Sequence, residues 1–467
     1  MSYGALRERV DAIAQTLDAA PGERVGVLAP NSTALLAGLF AVWQRGAVAV
    51  PLGARLRSYE LSRALADSQA VELVGVERHR GFSFADLGDE LFDAAPALRR
   101  CHWLDEHGHA CGDSARPDAA TGESAPLEPG IAAILYTSGS TGEPKGALVA
   151  HASALAGARS SAAVLGLDAG ERALIVVPAT HAFGLIVLLA TIASGGCAVM
   201  AEPSPSPRPL ADAIERESVR VLHGSPALFA ALTAGATDAL TRLRGGFVAG
   251  AHCPPPLLER LDDSRARILN MYGMTEIGAA TACRPDDPAA VRHHTTGRPL
   301  PGYEVRVEDG EVQVRSEHVT PGYHGRTEQT AAAFDGDWFR TGDLGSVDAA
   351  GNLTISGRRK ELVNIGGHNV FPGEVEGLLG THPDVAQAVV WGVPHERMGE
   401  VLRGSVVLRD GADTTPAELV RFARERLAGY KVPYGLEVVD ELPLLASGKP
   451  DRAALREDSR KVADAIG

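Results

Sequence analysis

The stretch RVGVLAPNSTALLAGLFAVWQRGAVAV, residues Arg24–Val50, decides the fold class. A short apolar run over residues 24–29 predicts a buried strand, and the capping turn Asn31–Ser32 begins a helical stretch over residues 33–45. Gly46 ends that helix, and the apolar residues after it predict a second strand. Strand, helix and strand in this order predict a βαβ unit.

The same alternation returns further along the chain. Residues 173–177 and 197–200 predict strands, and residues 183–193 predict the helix between them. These units favour a largely parallel sheet that is covered by helices on both faces. After Val291 the pattern changes, because alternating valines on either side of Asp309-Gly310 predict an antiparallel hairpin.

A smaller unit begins near Arg358. Its predicted elements are strands over Gln387–Trp391 and Gly404–Leu408, and a helix that begins at Thr415, Pro416 and Glu418 with Leu419, Phe422, Ala423 and Leu427 as its apolar face. The expected fold is α/β. A large N-terminal domain, residues 1–359, has βαβ layers, mostly parallel sheets and an antiparallel β portion, and a small α+β C-terminal domain follows over residues 360–467.

Composition excludes several classes of protein. The 467 residues are 45% hydrophobic and 22% charged, as in ordinary globular proteins. A net charge of −14 argues against nucleic acid held by counterion release. The five cysteines include no CxxC pair and predict neither a disulfide framework nor a zinc site, so a cytoplasmic location is expected.

Two stretches without charged side chains, residues 25–44 and 182–201, are long enough to span a bilayer. The first is interrupted by the capping turn at Pro30, Asn31 and Ser32, and the second by Gly195 and Gly196. Both are therefore expected to be buried α/β elements, and no transmembrane segment is predicted. The polar, Pro- and Gly-rich residues 113–130 are expected to form a loop.

The sharpest motif is YTSGSTGEPKG, residues Tyr136–Gly146, directly after the predicted strand 131–136. It is not a Walker loop, which requires GxxxxGK(S/T). Here Lys145 lies between Pro144 and Gly146, so the backbone cannot wrap a phosphate in that way. Hydroxyl groups, glycine backbone amides and one lysine nevertheless suit phosphate. The residues concerned are Thr137, Ser138, Gly139, Ser140, Thr141, Gly142, Lys145 and Gly146. A flexible linker rarely carries an ordered Pro-Lys-Gly ending after a strand.

This loop resembles the phosphate loop of the adenylate-forming superfamily of acyl-CoA synthetases, carrier-protein adenylation domains and luciferases. Further motifs follow in the order of that superfamily, so the resemblance covers nearly the whole chain from about Tyr3. They are YGMTE (Tyr272–Glu276), RTGDLG (Arg340–Gly345), GRRKELVNIGGHNVFPGEVE (Gly357–Glu376) and LPLLASGKPDR (Leu442–Arg452). The resemblance implies that ATP activates a carboxylate.

The resemblance assigns a nucleotide site. Tyr272 stacks on adenine, Thr275 touches the α-phosphate, Glu276 holds Mg²⁺, and Asp343 binds the ribose with Arg358. The residues assigned to ATP are Thr137, Ser138, Gly139, Ser140, Thr141, Gly142, Lys145, Gly250, Ala251, His252, Tyr272, Gly273, Met274, Thr275, Glu276, Asp343, Arg358 and Lys449. His252 departs from the Gly-Gly-Ala-Pro strand end of the superfamily, and it either donates to the purine or faces solvent.

The resemblance also assigns the carboxylate and thiol sites. His181, Phe183 and Gly273 lie at the carboxylate, and the apolar helix over residues 185–192 lines or supports an acyl pocket. His181 matches the superfamily histidine by its spacing to Pro178 and Gly184, whereas Thr180 departs from the usual aromatic. The catalytic residues are Lys449, His181 and Glu276, the hinge of the mobile C-terminal domain is Lys360, and Gly366 and Gly367 border the pantetheine tunnel.

The expected function is an ATP-dependent carboxylic acid:CoA ligase that forms an acyl adenylate and then a CoA thioester. A hydrophobic or aromatic monocarboxylate is the expected substrate. One alternative transfers the acyl group to a carrier-protein phosphopantetheine or another nucleophile. In another, Arg284 pairs with a second carboxylate in a malonate-type ligase, although a surface arginine is commoner. A catalytically silent nucleotide-binding protein is disfavoured because Glu276 and Lys449 are both present.

Overall fold

The computed structural model describes residues 1–116, 125–137, 144–202, 206–365, 368–395, 398–445, 450–452 and 454–455. The helices are α1 (Tyr3–Thr16), α2 (Thr33–Gln44), α3 (Ser58–Ser68), α4 (Gly88–Ala94), α5 (His151–Leu165), α6 (Ala182–Ala193), α7 (Arg208–Arg216), α8 (Pro226–Gly235), α9 (Thr237–Leu240), α10 (Pro255–Asp263), α11 (Ala289–His294), α12 (Thr327–Ala332), α13 (Pro372–Leu379) and α14 (Pro416–Arg424).

The strands within the described ranges form four larger sheets and one short hairpin. They are β1 (Arg24–Ala29), β2 (Val48–Gly53), β3 (Glu72–Val76), β4 (Arg78–His79), β5 (Phe82–Ser83), β6 (Arg100–Leu104), β7 (Ala110–Ala115), β8 (Ile131–Thr137), β9 (Lys145–Ala150), β10 (Arg172–Ile175), β11 (Cys197–Met200), β12 (Val221–His223), β13 (Gly245–Val248), β14 (Arg267–Met274), β15 (Gly278–Ala282), β16 (Arg298–Pro299), β17 (Glu304–Glu308), β18 (Glu311–Arg315), β19 (Phe334–Asp335), β20 (Trp338–Val347), β21 (Leu353–Arg358), β22 (Val363–Ile365), β23 (His368–Val370), β24 (Val385–His395), β25 (Gly399–Leu408) and β26 (Gly435–Val438).

The first sheet confirms the βαβ prediction. Its order is β7-β6-β3-β1-β2-β8-β9, and its inner strands are parallel. β1 pairs with β2 from Arg24 opposite Val48 to Ala29 opposite Gly53. Ser32 is the N-cap of helix α2, which connects these two strands. Its hydroxyl accepts a hydrogen bond from Leu35 N over 3.4 Å and so satisfies one free amide of the first turn.

The second sheet confirms the second predicted unit. Its order is β11-β10-β12-β13-β14-β15-β16, and the strands from β11 to β14 are parallel. Helix α6 lies between β10 and β11 in the chain, and its residues from Gly184 to Thr191 are buried. It packs on α5 within the main apolar core, which takes side chains from the first and second sheets. The carboxyl ends of β10, β12 and β13 therefore meet at one edge.

The third sheet is antiparallel, as predicted, and has the order β17-β18-β20-β19 with β21 on β20. In its β17–β18 hairpin Asp309 and Gly310 have φ values of 49° and 76°. Both values lie in the left-handed region that a two-residue hairpin of this kind requires, which explains the Asp-Gly pair.

The last sheet, β23-β22-β25-β24 with β26 on β25, contains both strands predicted in the C-terminal part. Helix α14 also forms, with the capping box of Thr415 and Glu418. Its buried side chains join an apolar core whose described members lie between Val363 and Ala423. The division between residues 359 and 360 stays a prediction.

Two boundaries differ from expectation. The expected loop from Asp113 begins only after Ala115, because β7 pairs with β6 through its backbone while its mostly exposed side chains carry no apolar signal. β24 extends from Val385 to His395, since it pairs with β25 along nearly its whole length. None of the helices in the described part of the chain combines the length and apolar content that a bilayer crossing requires.

Candidate active site

Tyr272, Asp343 and Arg358 come together from three strands. Tyr272 lies near the end of β14, and Asp343 on β20 stands directly opposite Arg358 at the end of β21. The Tyr272 hydroxyl donates to Asp343 Oδ2 over 2.6 Å, and Arg358 Nε donates to Asp343 Oδ1 over 2.9 Å. One buried carboxylate therefore organises a phenol and a guanidinium that lie 86 residues apart in the sequence.

Electrostatics keep the Tyr272 hydroxyl protonated and the Arg358 guanidinium charged. Burial and the nearby Asp343 charge raise the pKa of Tyr272 well above its ordinary value, so its hydroxyl remains a donor. Burial alone would lower the pKa of Arg358, but Asp343 and Glu361 raise it above its ordinary value. The guanidinium is half-exposed beside a buried carboxylate, which leaves donors free for a polar ligand.

A second group joins Glu276, Tyr323 and Lys145. The Tyr323 hydroxyl donates to Glu276 Oε1 over 2.9 Å, and Lys145 Nζ lies 4.9 Å from the centre of the Tyr323 ring. Glu276 is only 7% exposed. The pKa of Glu276 lies above its ordinary value, because the effect of burial exceeds the lowering by the hydrogen bond from Tyr323 and by the charges of Arg358 and Lys145.

This second group suits a magnesium ion bound together with phosphate. Mg²⁺ in nucleotide sites usually takes one or two carboxylates and completes its shell with phosphate oxygens and water. No cluster of three or more His, Cys, Asp or Glu side chains that could hold a metal occurs in the described ranges. A single buried carboxylate near a lysine matches the shared site rather than an all-protein cage.

Tyr323 was missed by the sequence reasoning. It is positioned by the segment of residues 320–324, which runs along β9: Leu148 N donates to Gly322 O over 3.0 Å, and His324 N to Gly146 O over 2.8 Å. Thr320 N also donates to Glu276 O over 2.6 Å. The available signal was a tyrosine between glycines in TPGYHGR, but its partner lies 47 residues away.

The phosphate loop begins and ends on a hairpin at the edge of the first sheet. Thr137, the last residue of β8, pairs with Lys145, the first of β9, and its hydroxyl donates to Lys145 O over 3.4 Å. The strand pairing therefore brings both predicted ends of the loop together. The predicted loop residues Ser138, Gly139, Ser140, Thr141 and Gly142 lie outside the described residues.

Three further predicted residues, Gly366, Gly367 and Lys449, also lie outside the described residues. Lys360 lies in a 3₁₀ turn over Arg359–Glu361, directly after β21, and its side chain is outside the described part. The tunnel, hinge and catalytic roles of these residues stay predictions.

His181 and Phe183 lie at the beginning of α6. His181 caps this helix with extended backbone, and its amide donates to Pro178 O over 3.0 Å. A Cβ on Gly184 would overlap the Pro178 carbonyl group, which gives a physical reason for the spacing of Pro178, His181 and Gly184. Phe183 is half-buried and meets the His223 ring edge-on, with 6.4 Å between the ring centres.

The predicted adenine segment follows β13. Gly250 and Ala251 are exposed, and Gly250 has a φ of 88°, which favours glycine. His252 faces α13: its Nε2 would lie 3.9 Å from a Cβ on Gly377. Burial lowers the pKa of His252, and the charge of Glu376 on the same helix raises it. His252 therefore brings the end of the adenine segment close to α13 of the C-terminal unit.

The remaining residues of YGMTE form a bulge and a turn between β14 and β15. The pairing register shifts between Tyr272 and Gly273, and a Cβ on Gly273 would overlap the Gly278 carbonyl group. Only glycine fits this crossing without displacement. Met274 and Thr275 follow and connect this bulge to Glu276. The bulge therefore helps to set the position of the Glu276 carboxylate.

Arg284 is not brought to this site. Gly278 of β15 pairs with Met274, beside the predicted site, whereas Ala282 at the other end of that strand pairs with Met271. Arg284 lies beyond Ala282, and its guanidinium donates to Ala282 O over 2.5 Å and to Pro299 O over 3.4 Å. The strand direction therefore places Arg284 at the end of β15 remote from Glu276, and its assignment to the carboxylate substrate stays a prediction.

The chain is similar to known proteins over most of its length. Residues 1–324 match the family described as AMP-binding enzyme, and residues 374–449 match the AMP-binding enzyme C-terminal domain. The chain is 35% identical to a feruloyl-CoA synthase of Amycolatopsis sp over 470 residues, covering 96% of this chain and 92% of the relative.

Two further similarities span nearly the whole chain. The 3-[(3aS,4S,7aS)-7a-methyl-1,5-dioxo-octahydro-1H-inden-4-yl]propanoyl:CoA ligase of Mycobacterium tuberculosis is 35% identical over 459 residues, which are 94% of this chain and 89% of the relative. A structure of o-succinylbenzoate CoA synthetase from Bacillus subtilis with its acyl-adenylate intermediate superimposes with a TM-score of 0.79, 28% identity, and coverage of 97% and 92% of the two chains.

Proposed function

Because this chain belongs to the AMP-binding enzyme family, we infer that it is an ATP-dependent, AMP-forming carboxylic acid:CoA ligase that acts through an acyl adenylate. ATP and CoA are its substrates together with a small carboxylic acid. The observation that supports this function most directly is the meeting of Tyr272 on β14 with Asp343 and Arg358 on the paired strands β20 and β21. The carboxylate of Glu276 lies on the turn that follows β14.

The two half-reactions make different demands on the site. A carboxylate oxygen first attacks the α-phosphorus of ATP, and the bond from that phosphorus to pyrophosphate breaks. A thiol then attacks the acyl carbon, loses its proton, and displaces AMP. Negative charge accumulates on the phosphate oxygens in the first step, so positive groups placed there lower its barrier.

We assign the roles of the residues as follows. Asp343 accepts the ribose hydroxyls with Arg358 beside it, and Tyr272 lies against adenine, with Gly250, Ala251 and His252 along the base. Thr137 and Lys145 hold the phosphates, and Lys449 serves the α-phosphate during the first step. His181, with Phe183 and Gly273 nearby, binds the reacting carboxylate at the beginning of α6.

Glu276 is the proposed ligand for Mg²⁺. When bound, Mg²⁺ would neutralise part of the phosphate charge. Its carboxylate is already oriented by the Tyr323 hydroxyl, and Lys145 lies over the ring of that tyrosine. Tyr323 therefore positions the metal ligand and the phosphate-binding lysine relative to each other, although it touches neither substrate in the proposed arrangement.

We propose a hydrophobic or aromatic monocarboxylate as the substrate. The buried apolar residues of α6 directly follow Phe183, so the wall behind the predicted carboxylate site is apolar. The names of the relatives also specify bulky acyl groups. Since Arg284 bonds to backbone carbonyls at the far end of β15, no charged partner for a second carboxylate is proposed there.

The substrate class is tested by acid-dependent release of pyrophosphate. We expect aromatic and medium-chain monocarboxylates to be activated, with dicarboxylates such as malonate at least ten times less efficient in kcat/KM. A strong preference for malonate would reverse the proposed class. Acids without ATP, and ATP without acid, provide the two blank reactions.

The acyl acceptor is proposed to be free CoA. The alternative acceptor, the phosphopantetheine of a carrier protein, carries the same thiol, so the two are distinguished by kinetics rather than by chemistry. We expect thioester formation with free CoA at a rate comparable to adenylation. A rate that depends on a carrier protein and is absent with free CoA would assign the chain to carrier loading instead.

A further inference from the structure

His223 carries a hydrogen-bonding atom that the fold leaves unused. It is the last residue of β12 and is 1% exposed. Its Nδ1 accepts a hydrogen bond from Phe247 N on the neighbouring strand over 3.3 Å. Its Nε2 is buried and has no hydrogen-bond partner among the residues that the structure describes.

The chemistry of this ring makes Nε2 a donor. Burial lowers the pKa of His223 to about 3, so the imidazole is neutral at physiological pH. A neutral imidazole carries one proton, and because Nδ1 accepts from the Phe247 amide, that proton is on Nε2. A buried N–H group without an acceptor costs free energy, and such groups are few in native proteins.

The position of His223 places this donor beside the predicted acyl pocket. Side chains alternate along β12: Val221 belongs to the main core and Leu222 to the separate core on the other face, so His223 shares the face of Val221. Helix α6 covers that face, and Phe183 in its first turn meets the His223 ring edge-on. Phe183 lies two residues after His181.

The orientation of the His223 ring is fixed by its contacts with Phe247. The Phe247 ring stacks on the imidazole with centres 5.6 Å apart and an interplanar angle of 29°. Since Nδ1 faces the backbone of β13, Nε2 lies on the opposite edge of the ring, away from that strand. Gly250, in the segment that follows β13, is exposed, and a Cβ on it would meet nothing within 4 Å, so the surface is open just beyond the carboxyl end of that strand.

We propose that His223 is a specificity-determining residue whose Nε2–H donates a hydrogen bond to an acceptor oxygen on the acyl group. The inference rests on the proposed function, because it requires an acyl group beside Phe183. It narrows the substrate class to acids with a carbonyl, ether or hydroxyl oxygen away from the reacting carboxylate. A hydrocarbon acid of the same shape would leave the buried donor without a partner, and sites of this kind discriminate against such analogues.

The test compares acids that differ in one oxygen. The 2-, 3- and 4-methoxycinnamates are each paired with the ethylcinnamate of the same ring position, and kcat/KM is measured by pyrophosphate release. The wild-type enzyme is expected to prefer the methoxy acid by about tenfold or more at one ring position, the ratio that one hydrogen bond gives. A ratio near one at all three positions would overturn the inference.

Two variants assign that preference to His223. His223→Asn keeps an acceptor for the Phe247 amide but loses the donor at Nε2, so the ratio should fall to about one through a loss with the methoxy acid alone. His223→Gln places an amide N–H near the position of Nε2 and should retain a preference. An equal loss with both acids of a pair would instead mean that His223 acts on the carboxylate or on the fold, and would overturn the inference.

The outcomes also distinguish this inference from the proposed function. Wild-type enzyme that activates acids without regard to the methoxy oxygen would retain the ligase function and reject the role of His223. Wild-type enzyme that releases pyrophosphate with none of these acids and none of the broader panel would contradict both. If His223→Asn does not fold, the wild-type ratios and the His223→Gln ratios still decide the question.

Discussion

At the scale of single residues, Asp343 is the group on which the proposed nucleoside site depends. Its two oxygens accept hydrogen bonds from the Tyr272 hydroxyl and from Arg358 Nε. Asp343→Ala should raise KM for ATP by ~10- to 150-fold, because a hydrogen bond to a charged group contributes ~1.5–3 kcal/mol. The protein should still fold, which thermal unfolding would check.

Asp343→Asn is the matched control for that substitution. The asparagine keeps an acceptor for the Tyr272 hydroxyl but removes the charge that faces Arg358. Its effect on KM for ATP should therefore be smaller than that of alanine, and its unfolding temperature should be closer to the wild type. Wild-type kinetics in Asp343→Ala would remove Asp343 from the proposed site.

Tyr323 gives a second prediction at this scale. Tyr323→Phe keeps the ring below Lys145 but removes the hydroxyl that holds Glu276, so kcat/KM for Mg·ATP should fall by about tenfold. Tyr303→Phe is the control, since it removes a similarly buried hydroxyl that donates to Ile277 O over 2.8 Å, one residue from Glu276. Equal effects of the two substitutions would argue against a positioning role for Tyr323.

The lowered pKa of His223 predicts that the stability of the folded protein depends on pH, which can be measured without an activity assay. This pKa is about 3 in the folded protein and about 6.5 in an unfolded chain. The unfolded chain therefore takes up the proton first, and the contribution of His223 to stability is present above pH 6.5 and is lost as the pH falls toward 3.

Between pH 7 and pH 5 the wild type should lose about 2 kcal/mol more free energy of unfolding than His223→Asn. Urea unfolding of both proteins at the two pH values would measure this difference. Identical losses would show that His223 is protonated in the folded protein or exposed to solvent.

At the scale of elements, the β20–β21 ladder connects the nucleoside site to the predicted hinge. Asp343 and Arg358 are opposite one another in this ladder, and the turn Arg359–Glu361 follows at once. Arg359 Nη2 lies 3.5 Å from Glu311 Oε2 on β18, so the turn is held against the third sheet. A rotation of the C-terminal unit about Lys360 would begin directly after the residues that we propose to bind the nucleotide.

Lys360→Pro tests the hinge. Proline restricts φ at the residue where the backbone is expected to rotate, so thioester formation should fall more than adenylation. Lys360→Ala is the control, because it removes the side chain and leaves the backbone free. The two half-reactions are measured separately, by pyrophosphate exchange and by thioester formation from synthetic acyl-AMP. Equal losses in both, or none in either, would exclude Lys360 as the pivot.

At the scale of the whole molecule, the reaction requires parts of the chain that are far apart in sequence. The phosphate hairpin belongs to the first sheet, Glu276 lies in the turn between β14 and β15 of the second, Asp343 lies in the third, and Lys449 follows the last strand of the fourth in sequence. If Lys449 serves only the first half-reaction, its loop must approach the α-phosphate for that step and leave it for the next.

Lys449→Ala should therefore separate the two half-reactions. Adenylation should fall by ~10²–10³, the effect of removing one preorganised donor to developing charge. Thioester formation from synthetic acyl-AMP and CoA should remain close to the wild-type rate. Comparable losses in both half-reactions would reject this division, and a circular-dichroism melt would show whether Lys449 supports the fold instead.

The local patterns of the sequence determined the fold class and most of the candidate site. The βαβ unit of residues 24–50, the hairpin at Asp309-Gly310 and the capping box of Thr415 are all formed by residues near one another in the chain. Their periodicity and turn chemistry are therefore visible without coordinates. The motifs around Tyr272 and Asp343 are contiguous for the same reason.

Only the tertiary structure decided which distant residues meet. Tyr323 reaches Glu276 because residues 320–324 pair with β9, and the free nitrogen of His223 follows from a hydrogen bond across two parallel strands. Arg284 lies away from the site because β15 runs antiparallel to β14. Contacts of this kind depend on strand order and register, which are set by the packing of the whole core and leave no periodic signal in the sequence.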